Sequence, residues 1–353
     1  MALLESMTHG LLIVKSMVLS WMFLPLAIWS AVSSGGLLRL VAAPFRGGYF
    51  VKELAKIEEA PAGLGRIHFL ATDSGDAVLL ESEGRFALVD AAEDSANPKN
   101  APSLAFDGFE HYVADYVKRV AGGRLDFVIG THAHSDHIGG FDTIILDPEI
   151  TVDRAYLKVY VDKNKHKYER DWDNQEMYDD MVNACEARGV EMIQDHLNRM
   201  EIMLGNMKLT LFNGADHNYR DENSNTLGVL LECGGKRAFL AGDINNIEGG
   251  ENRLAKEIGG RLDLLKAAHH GYEGSNAMAF LARLRPRDAV FTNSADSSIH
   301  FTVRNRFVAI SDSKLMTTGR FGGILAVFGE NILDYYTIGE YPSGIGGVNV
   351  EYR

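Results

Sequence analysis

Beyond about residue 65 the chain alternates between two hydrophobic periods. The segments RIHFLAT, AVLLESEGRFALVD and RLDFVIG carry apolar residues at alternate positions or in runs of strand length, and Glu83-Gly84 supplies a hairpin turn inside the second. Between the second and third, Phe109, Tyr112, Val113, Tyr116, Val117 and Val120 recur at helical spacing until Gly122-Gly123 stops the pattern. A polar, aromatic-rich stretch follows. From about Asn174 it predicts an amphipathic helix carrying Met177, Met181, Val182 and Cys185. Then MKLTLFN, TLGVLLECGGKRAFLAGD with its Gly-Gly hairpin, and RLDLLKAAHHG repeat the strand pattern. Strand, hairpin, helix and strand, met twice, predict an α/β layered domain of two sheets, each flanked by helices.

The N-terminus breaks this pattern. Residues 16–38 hold no charge, Lys15 precedes them, Arg39 follows, and Ala31, Val32 and Ser33 are small. That order is the pattern of a secretory signal. The run is also long enough to span a bilayer as an uncleaved anchor, with a kink at Pro25. The expected organisation is therefore a signal peptide or membrane anchor over 1–40, a linker over 41–65 and one catalytic domain over 66–353. The expected location is secreted or anchored on the outer face of the membrane. The alternative is a cytoplasmic protein with a buried N-terminal helix.

Composition changes this picture little. Across 353 residues, 46% hydrophobic and 24% charged content is that of a folded protein. The formal charge of −13 argues against a nucleic-acid partner held on a broad basic face. Two cysteines, Cys185 and Cys233, cannot form a disulfide framework and read as unpaired, partly buried thiols.

The chemistry concentrates in THAHSDHIGG, residues 131–140, directly after the apolar run DFVIG. Alternation puts His132 and His134 on one side of an extended backbone, where both can reach one cation. Asp136 and His137 lie past the bend and can address a second. Imidazole with carboxylate is zinc chemistry first, with manganese or iron next. Asp243 closes the strand RAFLAGD and is the natural bridging carboxylate. His269 and His270 end the run LDLLKAA beside a glycine; either can be the remaining ligand, and His269 is preferred here. His217, in a loop, and His300, after a later strand, are further candidates. His111, His166 and His196 read as surface residues.

These three constellations, in this order, resemble the metallo-β-lactamase superfamily of binuclear metal hydrolases, whose HxHxDH signature HAHSDH matches. The resemblance implies a four-layer αββα sandwich with the site at one edge of the paired sheets, over roughly residues 66–339. More closely, GRIHFLATDSGDAVLLESEGRFALVDAAEDS, VDRAYLKVYVDKN, DWDNQEMYDDMVNACEARGVEMI and ENSNTLGVLLECGGKRAFLAGDINNIEG are similar to the catalytic module of bacterial phosphorylcholine esterases. That resemblance implies a first metal at His132, His134 and His269, and a second at Asp136 and His137, with Asp243 bridging. No aromatic choline-binding repeats follow the domain in this sequence. The HHG ending also resembles the hydrolase domain of DNA-uptake channel proteins.

The expected activity is a two-metal phosphodiesterase on a small-molecule or cell-envelope substrate. Its nucleophile is a hydroxide shared by two zinc ions, whose binding brings the pKa of water to about 7. Asp136 or Asp243 orients it. The alternatives are a nuclease or another ester or β-lactam hydrolase on the same frame, or a non-catalytic binding module. Quaternary ammonium groups bind aromatic faces. The stretch with Tyr160, Tyr168, Trp172 and Tyr178, interleaved with Asp162, Glu169, Asp171 and Asp173, offers such faces, as does Tyr272 beside the histidine pair. Trp172, Tyr272, His270 and His300 are the candidate substrate contacts.

Overall fold

The computed structural model describes residues 51–95, 108–215, 219–310, 314–330, 332–343 and 349–352. The expected signal or anchor over 1–40 lies outside them, as does His217. Among the described residues no helix is long and apolar enough to cross a membrane.

The first sheet takes β1 (Val51–Lys52), β2 (Gly65–Phe69), β3 (Ala77–Ser82), β4 (Arg85–Ala91), β5 (Phe127–Ile129), β6 (Arg154–Tyr156) and β7 (Glu191–Ile193). The second takes β8 (Glu201–Leu204), β9 (Met207–Phe212), β10 (Gly228–Cys233), β11 (Lys236–Leu240), β12 (Leu264–Lys266), β13 (Asp288–Phe291) and β14 (Lys314–Thr317). The chain then returns to the first sheet as β15 (Ile324–Phe328) and β16 (Leu333–Thr337), giving the order β1-β16-β15-β2-β3-β4-β5-β6-β7. The second sheet runs in simple chain order. Apart from β1, which lies parallel to β16 at one edge, each sheet pairs antiparallel in its first part and ends in parallel strands, β4 to β7 in one and β11 to β14 in the other. Glu83-Gly84 and Gly234-Gly235 close the two hairpins with positive φ at both residues, the mirror-image turn that suits strand twist.

Alternation along these strands sorts the layers. Ile67, Phe69, Val78, Leu80, Ala87 and Val89 point between the sheets, where they meet Leu209, Leu211, Val229, Leu231 and Leu240. The intervening Leu79 and Leu88 face outward against Tyr112, Val113, Tyr116 and Val117 of α1 (Glu110–Ala121). That helix stops where Gly122 adopts a left-handed φ of 61°. The short α2 (Ser135–Ile138), α3 (Phe141–Leu146), α4 (Lys167–Arg170) and α5 (Asn174–Arg188) follow, with α3 and α5 on the same outer face as α1. Beyond the second sheet, α6 (Gly250–Ile258), α7 (Met278–Leu284) and α8 (Phe301–Ile310) form the fourth layer; Phe307 meets Phe291 of β13 edge-on at 5.3 Å. The architecture is the expected αββα sandwich. Cys185 and Cys233 are both free and buried.

The expected linker is corrected over its second half. Val51–Lys52 pairs with β16 and Ile57 is buried against the outer core, so the sheet begins before Arg66. The apolar period there is too short to announce a strand; a neighbouring edge recruits it.

Candidate metal centre

The parallel strands of both sheets direct their carboxyl ends to one edge of the sandwich, where binding groups collect in open α/β sheets. From β5 the chain enters HAHSDH through a bend at His132 and Ala133. His132 Nε2 and His134 Nδ1 come within 3.1 Å of each other. Burial, reinforced by His137 and His134, holds the His132 pKa well below the ordinary value, so its ring is a neutral donor. The turn of α2 then carries Asp136 and His137 to a second place. There His137 Nε2 lies 3.2 Å from Asp243 Oδ1.

Asp243 leaves β11 after Gly242, whose φ is 48° and whose missing Cβ would sit 2.5 Å from Thr226 Cγ2. Only glycine lets the aspartate come this close. After β12, His269 and His270 both adopt left-handed φ values of 53° and 50°. This kink turns the His269 ring toward Tyr272, 5.5 Å away and edge-on, and swings His270 inward. His270 Nε2 lies 3.2 Å from Asp136 Oδ2 and 3.3 Å from Asp243 Oδ2, whereas His269 Nε2 stays 3.7 Å from Asp243. The four donors within reach of one another are Asp136, His137, Asp243 and His270. The preference for His269 over His270 is therefore corrected at this cluster: a strand pattern does not show which ring a kink turns inward.

The cluster suits a divalent cation. His137 Nε2, His270 Nε2 and Asp243 Oδ1 are buried with no hydrogen-bond partner among the described residues, a costly arrangement unless something coordinates them. Burial alone would lower both imidazoles, but the carboxylates around them, Asp243 first with Asp136, together outweigh it and raise His137 and His270 well above the ordinary value. Burial likewise would raise Asp243, and the His270 and His137 rings hold it well below the carboxylate range. Nitrogen and carboxylate donors in this mixture fit zinc, manganese or iron.

Several supports went unread in the sequence. Asp90, at the end of β4, accepts from the Thr131 amide, Thr131 Oγ1 and His137 Nδ1, each at 2.8 Å, which fixes the tautomer that faces Nε2 inward. Asp76 accepts from Thr292 Oγ1 at 2.6 Å and lies 3.4 Å from His270 Nδ1. The fully buried Lys266 ammonium sits 2.5 Å from Asp76 and donates to the Gly242 carbonyl at 3.0 Å. Each is a single polar residue at a strand end or in an apolar run, indistinguishable in sequence from a cap.

The first pair is held from elsewhere. His134 Nε2 donates to Glu169 Oε2 at 2.9 Å. Burial pulls the His134 pKa down, but Glu169 outweighs it and pushes it up to about 9. Among the described residues no cluster of three close donors includes His132 or His134.

Beside the centre lies a cavity of about 640 Å³, walled on one side by His134 and Asp136. Phe109, Trp172 and Tyr272 supply its aromatic faces, and Asp73, Glu93 and Asp173 its carboxylates. Trp172 is 44% exposed, and the Tyr272 hydroxyl shares a hydrogen bond with Ser74 Oγ at 2.7 Å. The other proposed contacts do not reach it. His300 binds Thr302 Oγ1 at 2.8 Å and faces Glu273, because its ring turns away along α8. Tyr160, Tyr168 and Tyr178 instead bond Asp162, Asp221 and Gln194. His111 and His196 are exposed, and His166 stacks on Tyr168.

Over 179 residues the chain is 25% identical to ComE operon protein 3 of Bacillus subtilis (strain 168), covering 50% of this chain and 21% of that protein. The chain thus spans about a fifth of that relative's length. Among solved structures, the metallo-beta-lactamase fold protein YhfI from Bacillus subtilis is similar at a TM-score of 0.44 and 12% identity, over 72% of this chain and 96% of that one. CmlA, a diiron beta-hydroxylase from Streptomyces venezuelae, is similar at a TM-score of 0.44 and 14% identity, over 73% and 53%. Residues 88–303 match the model of the beta-lactamase superfamily domain, and the chain belongs to this superfamily of metal-dependent hydrolases.

Proposed function

We propose that the protein is a phosphodiesterase whose substrate carries a cationic, choline-like group. The observation that carries this reading is the cavity beside Asp136, which combines three aromatic faces with three carboxylates. Asp173 is 4% exposed, yet neither of its carboxylate oxygens has a hydrogen-bond partner among the described residues, and Glu93 Oε1 is in the same position. Burial raises the pKa of both, and Asp136 adds to it at Glu93 as Glu176 does at Asp173. A cation seated between them relieves that cost and restores both carboxylates. The aromatic faces add about 0.5–2 kcal/mol per ring.

Asp136, His137, Asp243 and His270 would hold one divalent cation, and His132 and His134 would face another; such ions would supply Lewis acidity and lower the pKa of a water. Asp136, whose side chain is 32% exposed, reaches from the cluster into the cavity and accepts from the attacking water there, orienting it toward the phosphorus. Trp172 and Asp173 hold the cationic end and set the distance between it and the reacting phosphorus. The uncharged run over residues 16–38 supports export and a cell-envelope substrate for this activity.

The test compares p-nitrophenyl phosphorylcholine with bis-p-nitrophenyl phosphate. We expect a higher kcat/KM on the first. Trp172→Ala should narrow the ratio about 2- to 30-fold while the metal content stays unchanged. Equal rates on the two substrates, or a variant that keeps the preference, would leave a metallohydrolase without this specificity.

A further inference from the structure

Glu169 lies outside the metal-binding motifs, yet its bonds converge on one of them. It sits on α4, is buried, and has three hydrogen-bond donors around its two oxygens. Oε2 accepts from His134 Nε2 at 2.9 Å and from Asn174 Nδ2 at 3.1 Å, and Oε1 accepts from the Glu222 amide at 2.9 Å. A carboxylate can only accept, so His134 must carry its proton on Nε2. When the ring gives up its other proton to a cation, Nδ1 is the nitrogen that carries the lone pair, and Nδ1 is the atom beside His132 Nε2. Glu222 reinforces the arrangement: its Oε1 accepts from the Ala133 amide at 3.1 Å, and Oε2 pairs with the buried Lys165 at 2.5 Å. The histidine loop is thus gripped through a ring and a backbone amide by carboxylates from outside its own strand. Trp172, Asp173 and Asn174 follow within five residues of Glu169 and line the cavity.

We infer that Glu169 is a positioning residue. It fixes the tautomer and ring angle of His134 toward a cation shared with His132, and through Asn174 it ties that angle to the cavity wall. The inference rests on His132 and His134 being metal ligands. Outer carboxylates of this kind govern metal affinity as well as ligand geometry.

The test is titration of the metal-stripped full chain with Co²⁺, followed by calorimetry and by the visible absorption of the bound ion. Two classes of site are expected. Glu169→Ala should weaken the class containing His134 by about 10–100-fold and leave the Asp136, His137, Asp243 and His270 class in place. Glu169→Gln should fall between, since its amide retains one acceptor for three donors. Asn174→Ala, a milder change that keeps Glu169, should weaken the same class by a smaller factor. His134→Ala is the control and should remove that class. If the control leaves both classes intact, the ligand assignment is overturned and the inference with it. If the control removes a class that Glu169→Ala and Asn174→Ala leave unchanged, or if these variants weaken both classes equally, the positioning role alone is overturned.

Discussion

His134 and His137 stand three residues apart in one motif, yet different parts of the molecule hold them. His137 is fixed by Asp90 at the end of a central strand, and its neighbours Asp243 and His270 leave strands of the facing sheet. Behind them Lys266, Asp76 and Thr292 form a buried layer between the sheets. His134 is fixed by Glu169, on a segment inserted between β6 and β7 that also carries Trp172 and Asp173 into the cavity. One half of the centre is therefore a product of the sandwich itself. The other half is assembled with the adjoining cavity, so the geometry of its histidines and the shape of that cavity can change together without disturbing the core.

The sharpest way to break this comparison is to remove one ligand from each half. A protein carrying both His134→Ala and Asp243→Ala should lose stoichiometric binding of zinc-like ions, about two per chain in the parent, and all hydrolase activity. Elemental analysis of the purified proteins checks this. Full occupancy in the double variant would overturn the ligand set.

A smaller effect separates the paired histidines. His270→Ala should empty the Asp136, His137 and Asp243 cluster, whereas His269→Ala should retain its metal and lose activity only in part. Metal content of the two variants, measured side by side, decides between them. Equal loss in both would mean that the loop reorganises when metal binds.

The smallest effect tests the sandwich half through its scaffold. Glu251 on α6 accepts from the Asn276 and Ala277 amides, and Asn276 clamps both backbone groups of Ala268 just before the histidine pair. Burial raises the Glu251 pKa from the ordinary 4.5 to about 7, against the pull of those amides. The folded state thus holds more protons than the unfolded state between these values. Stability should fall as pH rises from about 4.5 to about 7 and stay lower above it, by up to about 3 kcal/mol. Denaturant unfolding at pH 5 and pH 8 should show that drop, and Glu251→Gln should flatten it. An identical pH response in the variant would assign the slope to other groups.

The sequence by itself determined what local chemistry can write down. HAHSDH announced a metal because several histidines and an aspartate at that spacing suit ligation better than packing. Glu83-Gly84 and Gly234-Gly235 announced hairpins, and the 3.6-residue period over Phe109 to Val120 announced a helix, because each depends on neighbours a few residues away. The sandwich followed from the two strand-and-helix halves together with the family resemblance. What tertiary structure decided depends on contacts that no period records. Asp90 becomes a support because β4 lies beside β5, and Lys266 is buried beside Asp76 because β12 lies inside the second sheet. His270 turns inward because two consecutive left-handed residues reverse the chain. Glu169 reaches His134 across 35 residues of sequence. A hydrogen bond fixes direction within a few ångströms in space, whereas the chain records only order, so donor side chains at regular spacing were legible and the groups that aim them were not.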